Sequence, residues 1–309
     1  MELLSVIVPC YNEQETIEDF YLEFQKVVPY FEKKEVETEI LFVNDGSRDG
    51  TVDVIKKLCR KDVKVRMVSF SRNFGKEAAI YAGLEKSKGD YVVIMDADLQ
   101  DPPSLLPQMF EGIEEGYESV ATRRVSRKGE PIVRSLFAKL FYKLMRKISK
   151  ADIVDGARDY RLMTRKFVNA VLSIAEYNRF TKGIFGWVGF ETKWITYENI
   201  ERKKGKTKWS FWKLFIYSIE GIVGFSTAPL AFASVLGMVF CFLAFIFLIF
   251  IFARALLFGD PVAGWPSTIC IILLVSGVQM FCMGIMGQYL AKTYLEVKHR
   301  PIYVVNEEL

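Results

Sequence analysis

Histidine is nearly missing from this chain: one among 309 residues, His299, close to the C-terminal end. That excludes a Ser-His-Asp triad or a histidine-ligated zinc site as the organising chemistry. Cysteine is scarce too. Of the five, Cys10 and Cys59 stand alone, and Cys241, Cys270 and Cys282 lie in apolar segments. No metal spacing or disulfide framework results, and each reads as a buried hydrophobe. No Gly-x-Gly-x-x-Gly follows the first strand pattern, so the dinucleotide fingerprint is missing from its place. A net charge of +4 is too small for a general nucleic-acid signature, and the basic residues come in patches instead. The start, Met1-Glu2-Leu3-Leu4, has no basic n-region and enters a strand at once, so the first domain is expected to stay in the cytosol. Internal repeats and low-complexity linkers are lacking as well.

What is present begins with alternation. Strand patterns at 4–9, 39–43, 63–70 and 91–95 alternate with helical patterns at 14–30, 51–61 and 76–87. Alternation of this length predicts right-handed βαβ units and a mostly parallel, Rossmann-like α/β sheet. Each strand ends in polar residues, and parallel strands put all of these ends on one sheet edge. They are Asn12-Glu13, then Asn44-Asp45-Gly46-Ser47, then Ser71-Arg72-Asn73-Phe74-Gly75-Lys76, then Asp96-Ala97-Asp98.

The last of these is the focus. Tyr91-Val92-Val93-Ile94-Met95 is an unbroken apolar run, the pattern of a strand buried on both faces. It ends in two carboxylates, followed by Gln100, Asp101 and the breakers Pro102-Pro103. Carboxylates at such a strand end face the crevice where open α/β sheets bind ligands. Hard oxygen donors there suit Mg2+ or Mn2+ shared with a substrate phosphate. The same residues also describe a solvated acidic turn. Asp45 or Asn44 can accept hydrogen bonds from a base or ribose, or simply form an Asx-turn, and Asp49 reads as a helix cap. Gly75 and Lys76, at a helix start, suit a phosphate or a plain loop junction.

Taken together, Val8-Pro9-Cys10-Tyr11-Asn12-Glu13, Val43-Asn44-Asp45-Gly46-Ser47-Arg48-Asp49-Gly50-Thr51, Ser71-Arg72-Asn73-Phe74-Gly75 and Asp96-Ala97-Asp98-Leu99-Gln100-Asp101-Pro102-Pro103 carry a resemblance. The chain resembles family 2 glycosyltransferases of the GT-A fold, in the polyprenyl-phosphate branch with bactoprenol glucosyltransferases and dolichol-phosphate mannose synthases. The resemblance implies an inverting enzyme that moves one sugar from a UDP-sugar to undecaprenyl or another polyprenyl phosphate. It implies a donor site of Pro9, Tyr11, Asn12, Glu13, Asp45, Ser71, Asn73, Lys76, Asp96, Ala97 and Asp98. A Mg2+ or Mn2+ site of Asp96, Asp98 and Gln100 comes with it, and a homo-oligomer. Lys76-Glu77 departs from the His-Gln expected in many relatives. Asp155-Gly156-Ala157-Arg158-Asp159-Tyr160 resembles the segment whose aspartate, here Asp159, faces the reacting centre; Asp159 and Asp98 are the catalytic candidates. Residues 179–190, with Lys182-Gly183 and Trp187, resemble the acceptor-side helix, although Trp187 alone reads as core.

The remaining chain points to a membrane. Residues 131–148 place apolar side chains on one helical face with cations on the flanks, suiting either an interfacial or a core helix. The basic cluster 201–210 resembles an Arg-x-x-Gly-x-Ser-Lys-Tyr pattern, which makes Arg202 and Lys208 the candidates for gripping lipid phosphate. Residues 225–252 and 267–290 are apolar for long enough to span a bilayer twice. Their connector lacks Lys and Arg, so both ends are expected in the cytosol. Gly277, Gly284, Gly287 and Gln279 suit close helix packing. The expected organisation is therefore a nucleotide-sugar part at 1–130, an acceptor part with interface helices at 131–224, a two-helix membrane hairpin at 225–293 and a cytosolic tail at 294–309. A processive polysaccharide synthase fits less well, since Gln-x-x-Arg-Trp is lacking and two spans make no conduit. A non-enzymatic scaffold with a decayed transferase domain fits poorly with so many intact motifs.

Overall fold

The computed structural model describes residues 1–124, 156–197, 221–258 and 264–309, together with 148, 154 and 219. The interface stretch 131–147, Asp155, and the basic loop with Arg202 and Lys208 lie outside the described residues.

The first half alternates as expected: β1 (Glu2–Cys10), α1 (Ile17–Gln25), α2 (Val28–Lys33), β2 (Val36–Asn44), α3 (Thr51–Lys61), β3 (Val65–Phe70), α4 (Lys76–Lys86) and β4 (Tyr91–Ile94). The single helix expected over 14–30 is two. Pro29 stands at the start of α2, and its ring cannot coexist with a helical carbonyl at Gln25, the last residue of α1. The four strands pair in parallel in the order β4-β1-β2-β3. Alternate residues of β1 serve opposite faces: Leu4, Val6 and Val8 pack in one apolar core and Ile7 in the other, all fully buried. A strand covered by helices on both sides needs this continuous apolar run.

The second half is mixed. α5 (Leu106–Glu114), β5 (Ser119–Arg124), β6 (Ala157–Thr164), α6 (Arg165–Leu172), α7 (Thr181–Trp187) and β7 (Thr192–Tyr197) extend the sheet to one side. β6 runs antiparallel to both β4 and β5, and β7 parallel to β5. Antiparallel pairing brings the start of β6 to the edge where β4 ends. The register pairs Ile94 with Arg161, and continuing it two residues carries Asp96 opposite Asp159.

The tail expected as a separate cytosolic segment instead closes the sheet. β8 (Val305–Glu308) lies antiparallel on β3, giving the order β7-β5-β6-β4-β1-β2-β3-β8. Lys56 pairs with Glu307 at 2.7 Å and Lys86 with Glu308 at 2.8 Å, while Tyr303 stacks on Phe70 at 4.9 Å. It covers backbone groups that β3 would otherwise present as an open edge.

Between β7 and β8 run α8 (Ala228–Phe258) and α9 (Trp265–Val297). Both are long and apolar enough to cross a membrane, over Ala228–Ile251 (mean hydropathy 2.9) and Ile271–Val297 (1.8). Three expectations change here. Among the described residues, nothing lies within 4 Å of where a Cβ on Gly277, Gly284 or Gly287 would stand, so the described part of α8 does not pack closely on these glycines. Cys241 is exposed on α8 rather than buried. Trp187 is 59% exposed, because the buried face of α7 is Thr181, Gly183, Ile184 and Phe185.

Candidate active site

The loops after β1, β2 and β3 are knitted to one another by backbone groups. Asn12, at φ 53°, donates its N–H to Ser47 Oγ (2.9 Å) and accepts from the Arg48 N–H through Oδ1 (2.8 Å). The Glu13 N–H donates to Thr51 Oγ1 at 2.8 Å. Pro9 stands opposite Val43, one pair before the β1 ladder ends at Cys10 and Asn44, and Tyr11 just beyond is half-buried. Asn44 is a turn residue: its Oδ1 accepts from Ser47 N–H and its Nδ2 donates to Ser69. Asp49, as expected, accepts from the Thr51 N–H ahead of α3.

Asp45 is the keystone of these loops. Its Oδ1 accepts from the Phe74 N–H (2.6 Å) and Gly75 N–H (3.1 Å), and Asn73 Nδ2 donates to its carbonyl. Burial pushes its carboxyl up to about 6, against the lowering by these backbone donors and Arg72. Gly46 explains how close the loops come. It stands at φ +64°, and a Cβ there would meet the Arg72 carbonyl carbon at 2.4 Å. Ser71 and Asn73 are exposed beyond this junction, and the Ser71 N–H donates to Val304 of the tail.

At the end of β4 charge replaces dipole. Lys76 Nζ, on the first residue of α4, lies 2.7 Å from Asp96 Oδ1, 2.9 Å from Asp96 Oδ2 and 2.6 Å from Asp159 Oδ2. Lys182 Nζ reaches Asp159 Oδ1 at 3.7 Å and donates to the Ala157 carbonyl. Burial alone would raise the Asp159 carboxyl, but Lys76, Lys182 and Arg158 hold it well below the usual carboxylate range. Lys76 is held above the ordinary lysine value: its two carboxylates outweigh its burial. Arg158 sits behind this group, bonding Asp101 at 3.2 Å and Gln100 Oε1 at 3.3 Å, with Tyr197 donating to Asp101. Asp98 Oδ1 accepts from the Gln100 N–H at 3.1 Å, and the Ala97 side chain is buried. Leu99 adopts φ 57°, a costly conformation for leucine, in the turn that aims these side chains.

Asp96, Asp98 and Gln100 offer only oxygen donors, which fits a hard divalent cation. Among the described residues no group of three or more His, Cys, Asp or Glu could hold one unaided. Lys76, one of the expected donor-site residues, joins Asp96 to Asp159. Lys182 stands in the acceptor-side stretch, in its Lys182-Gly183 pair, whereas Arg158 lies in the Asp159 segment without a role of its own expected there.

The site is tied to the membrane-length helices. Glu77, next to Lys76, accepts from the Thr181 N–H at 2.9 Å. Four residues earlier, Glu296 near the end of α9 accepts from the Tyr177 N–H (3.0 Å) and Asn178 N–H (3.1 Å). The Glu77 clasp falls on the first residue of α7, and Lys182 is the next.

Residues 5–172 match the family described as Glycosyl transferase family 2. The Bacillus subtilis (strain 168) protein CsbB, itself only provisionally named a glycosyltransferase, is 43% identical over 305 residues, 99% of this chain and 92% of that protein. The bactoprenol glucosyl transferase of Shigella phage SfV is 40% identical over 308 residues, 99% of this chain and 98% of that one. Among solved structures, the glucosyl-3-phosphoglycerate synthase of Mycobacterium tuberculosis, in complex with Mn2+, UDP-glucose and phosphoglyceric acid, is 20% identical at a TM-score of 0.49. It covers 72% of this chain and 78% of that chain.

Proposed function

The chain belongs to glycosyl transferase family 2 and is an enzyme, and from that premise we propose that it moves one sugar from a UDP-sugar to a polyprenyl phosphate at a membrane, with inversion at the anomeric carbon. Glucose leads N-acetylglucosamine because the Shigella phage relative is named a bactoprenol glucosyl transferase. The observation that carries the reading is the Glu296 clasp: a helix of membrane-spanning length grips the loop leading into α7, the helix whose Lys182 reaches Asp159. A transfer centre bound in this way to a membrane hairpin suits an acceptor with a lipid tail.

The chemistry follows from the charges. Asp159, held well below the usual range, is a poor proton acceptor. The acceptor needs little help, since a phosphate monoester has its second pKa at about 6 and is largely ionised near neutrality. Asp159 then orients the acceptor and offsets positive charge developing at the anomeric carbon. Asp96, Asp98 and Gln100 would hold Mg2+ or Mn2+, which when bound neutralises the departing diphosphate. The loops held by Asp45 receive the nucleotide, and Arg202 and Lys208 receive the lipid phosphate. In this reading 1–130 binds donor, 131–224 binds acceptor, and 225–293 anchors the chain. Both ends face the cytosol, because cations flank the hairpin at 203–213 and 292–300 while its 259–264 connector has none.

The test is the lipid product. Full-length protein reconstituted with undecaprenyl phosphate and a panel of UDP-sugars is expected to yield, by mass spectrometry, the lipid phosphate plus a single hexose. UDP release without a lipid product, or addition of several sugars, would overturn the reading.

A further inference from the structure

Lys76 occupies an unexpected place for a donor-binding lysine. Its ammonium lies within 2.9 Å of both oxygens of Asp96, the first carboxylate of the Asp96-Ala97-Asp98 turn, and within 2.6 Å of Asp159. Asp159 comes from β6, 83 positions further along the chain, so one side chain spans the cation side and the transfer side of the site. An ammonium in that position, within hydrogen-bond reach of both oxygens of Asp96, competes with any second cation for that carboxylate.

We infer that Lys76 is a built-in counter-cation that blocks the divalent-cation site until the nucleotide donor arrives, so that metal and donor bind together and neither binds well alone. The inference rests on the reading above, that Asp96 and Asp98 share a metal with a UDP-sugar. Charge supports it. Asp96, Asp98 and Asp159 contribute three negative charges and Lys76 and Lys182 two positive ones, while Arg158 and Asp101 neutralise each other; the sum over these seven described side chains is −1. A divalent cation alone would take this to +1, and a diphosphate alone to −3. Arriving together they leave it at −1. The diphosphate also gives the Lys76 ammonium a new anionic partner, and a lysine head on four flexible carbons can swing toward it while staying near Asp159. Among the described residues no group of three or more His, Cys, Asp or Glu forms a cage for a metal ion, and Mg2+-type cations commonly complete their coordination on substrate phosphates.

Such coupling must be reciprocal: UDP strengthens metal binding by the same factor as metal strengthens UDP binding. The experiment uses full-length protein in nanodiscs, with free Mn2+ counted by electron paramagnetic resonance, with and without UDP. Wild type is expected to bind Mn2+ about ten- to a hundredfold more tightly with UDP present. Lys76→Met is expected to raise nucleotide-free Mn2+ affinity and shrink that ratio. Lys76→Arg, which keeps the charge, is expected to preserve most of it, and Lys76→Gln serves if the Met variant does not fold. Nucleotide-free Mn2+ affinity that is unchanged or weakened in Lys76→Met or Lys76→Gln would overturn the inference while leaving the metal reading intact. No Mn2+ binding by wild type even with UDP would overturn both.

Discussion

Asp45 and Asp159 stand on one sheet edge, both largely shielded from water, and their carboxyl groups are pushed in opposite directions. Asp45 meets backbone N–H groups of the loop after β3, and burial raises it to about 6. Asp159 meets two ammonium groups, which hold it well below the usual range. One region is assembled by dipoles and close backbone approach, the other by full charges drawn from distant segments. Dipoles shape a loop but leave its carboxylate able to titrate. Charges fix the ionisation state and let the site respond to other charges. The first kind of construction suits binding a base and ribose, and the second suits handling a phosphate and a departing diphosphate.

The largest test of this contrast is Asp159→Asn. It removes the negative charge that Lys76 and Lys182 share while leaving the loops around Asp45 untouched. The expected loss is roughly 100- to 1000-fold in kcat, the scale for deleting one electrostatic group from a transition state. UDP-sugar affinity, read by calorimetry, should hold. Raising the pH should not restore the rate, and a pH-dependent recovery would make Asp159 a base instead. Next in size are Arg202→Ala and Lys208→Ala. A charge-assisted hydrogen bond to phosphate contributes roughly 1.5–3 kcal/mol, so use of the lipid acceptor should weaken about ten- to a hundredfold. Normal kinetics in correctly inserted mutants would reduce these cations to topology signals.

The two regions also differ in how far the sequence discloses them. The Asp45 region was legible, because parallel strands buried on both faces read as continuous apolar runs and their polar ends must share an edge. The identities of Asp96 and Asp159 were legible as well, through motif resemblance. Their union through Lys76 was not, because it depends on β6 running antiparallel to β4, and no local pattern sets strand direction. The same limit hid β8: Val305 and its neighbours gain their partners on β3, more than two hundred positions earlier. The split of α1 from α2 is readable in principle from Pro29, whose ring cannot follow a helical carbonyl four residues back.

A smaller perturbation separates the regions from the other side. Gly46→Ala places a Cβ at φ +64°, 2.4 Å from the Arg72 carbonyl carbon, so the β2 and β3 loops must part. The expected cost is about 1–3 kcal/mol of stability, seen as a lowered Tm, together with a raised KM for UDP-sugar. If kcat fell while KM held, the division between donor loops and transfer cluster would fail.

The smallest effect is the pH dependence of donor binding. With its folded carboxyl at about 6 and an ordinary value of 3.8, Asp45 binds a proton in the folded chain before the unfolded chain does. Its contribution to stability is therefore fully present below the ordinary value and is lost as pH rises through about 6. Donor binding should run the other way. The ionised carboxylate is the form that holds the Phe74 and Gly75 N–H groups and can accept from a base or ribose, so acidification below 6 should weaken binding. The loss should stay within about tenfold, the scale of one net hydrogen bond. The ligand must be UDP-glucose rather than UDP, whose terminal phosphate titrates at about 6 itself. Asp45→Asn should bind weakly at every pH and show no such step. The transfer cluster, with Asp159 held far from neutrality, should contribute nothing to the profile. A step near 6 that survives in Asp45→Asn would assign the titration to another group and remove the contrast between the two aspartates.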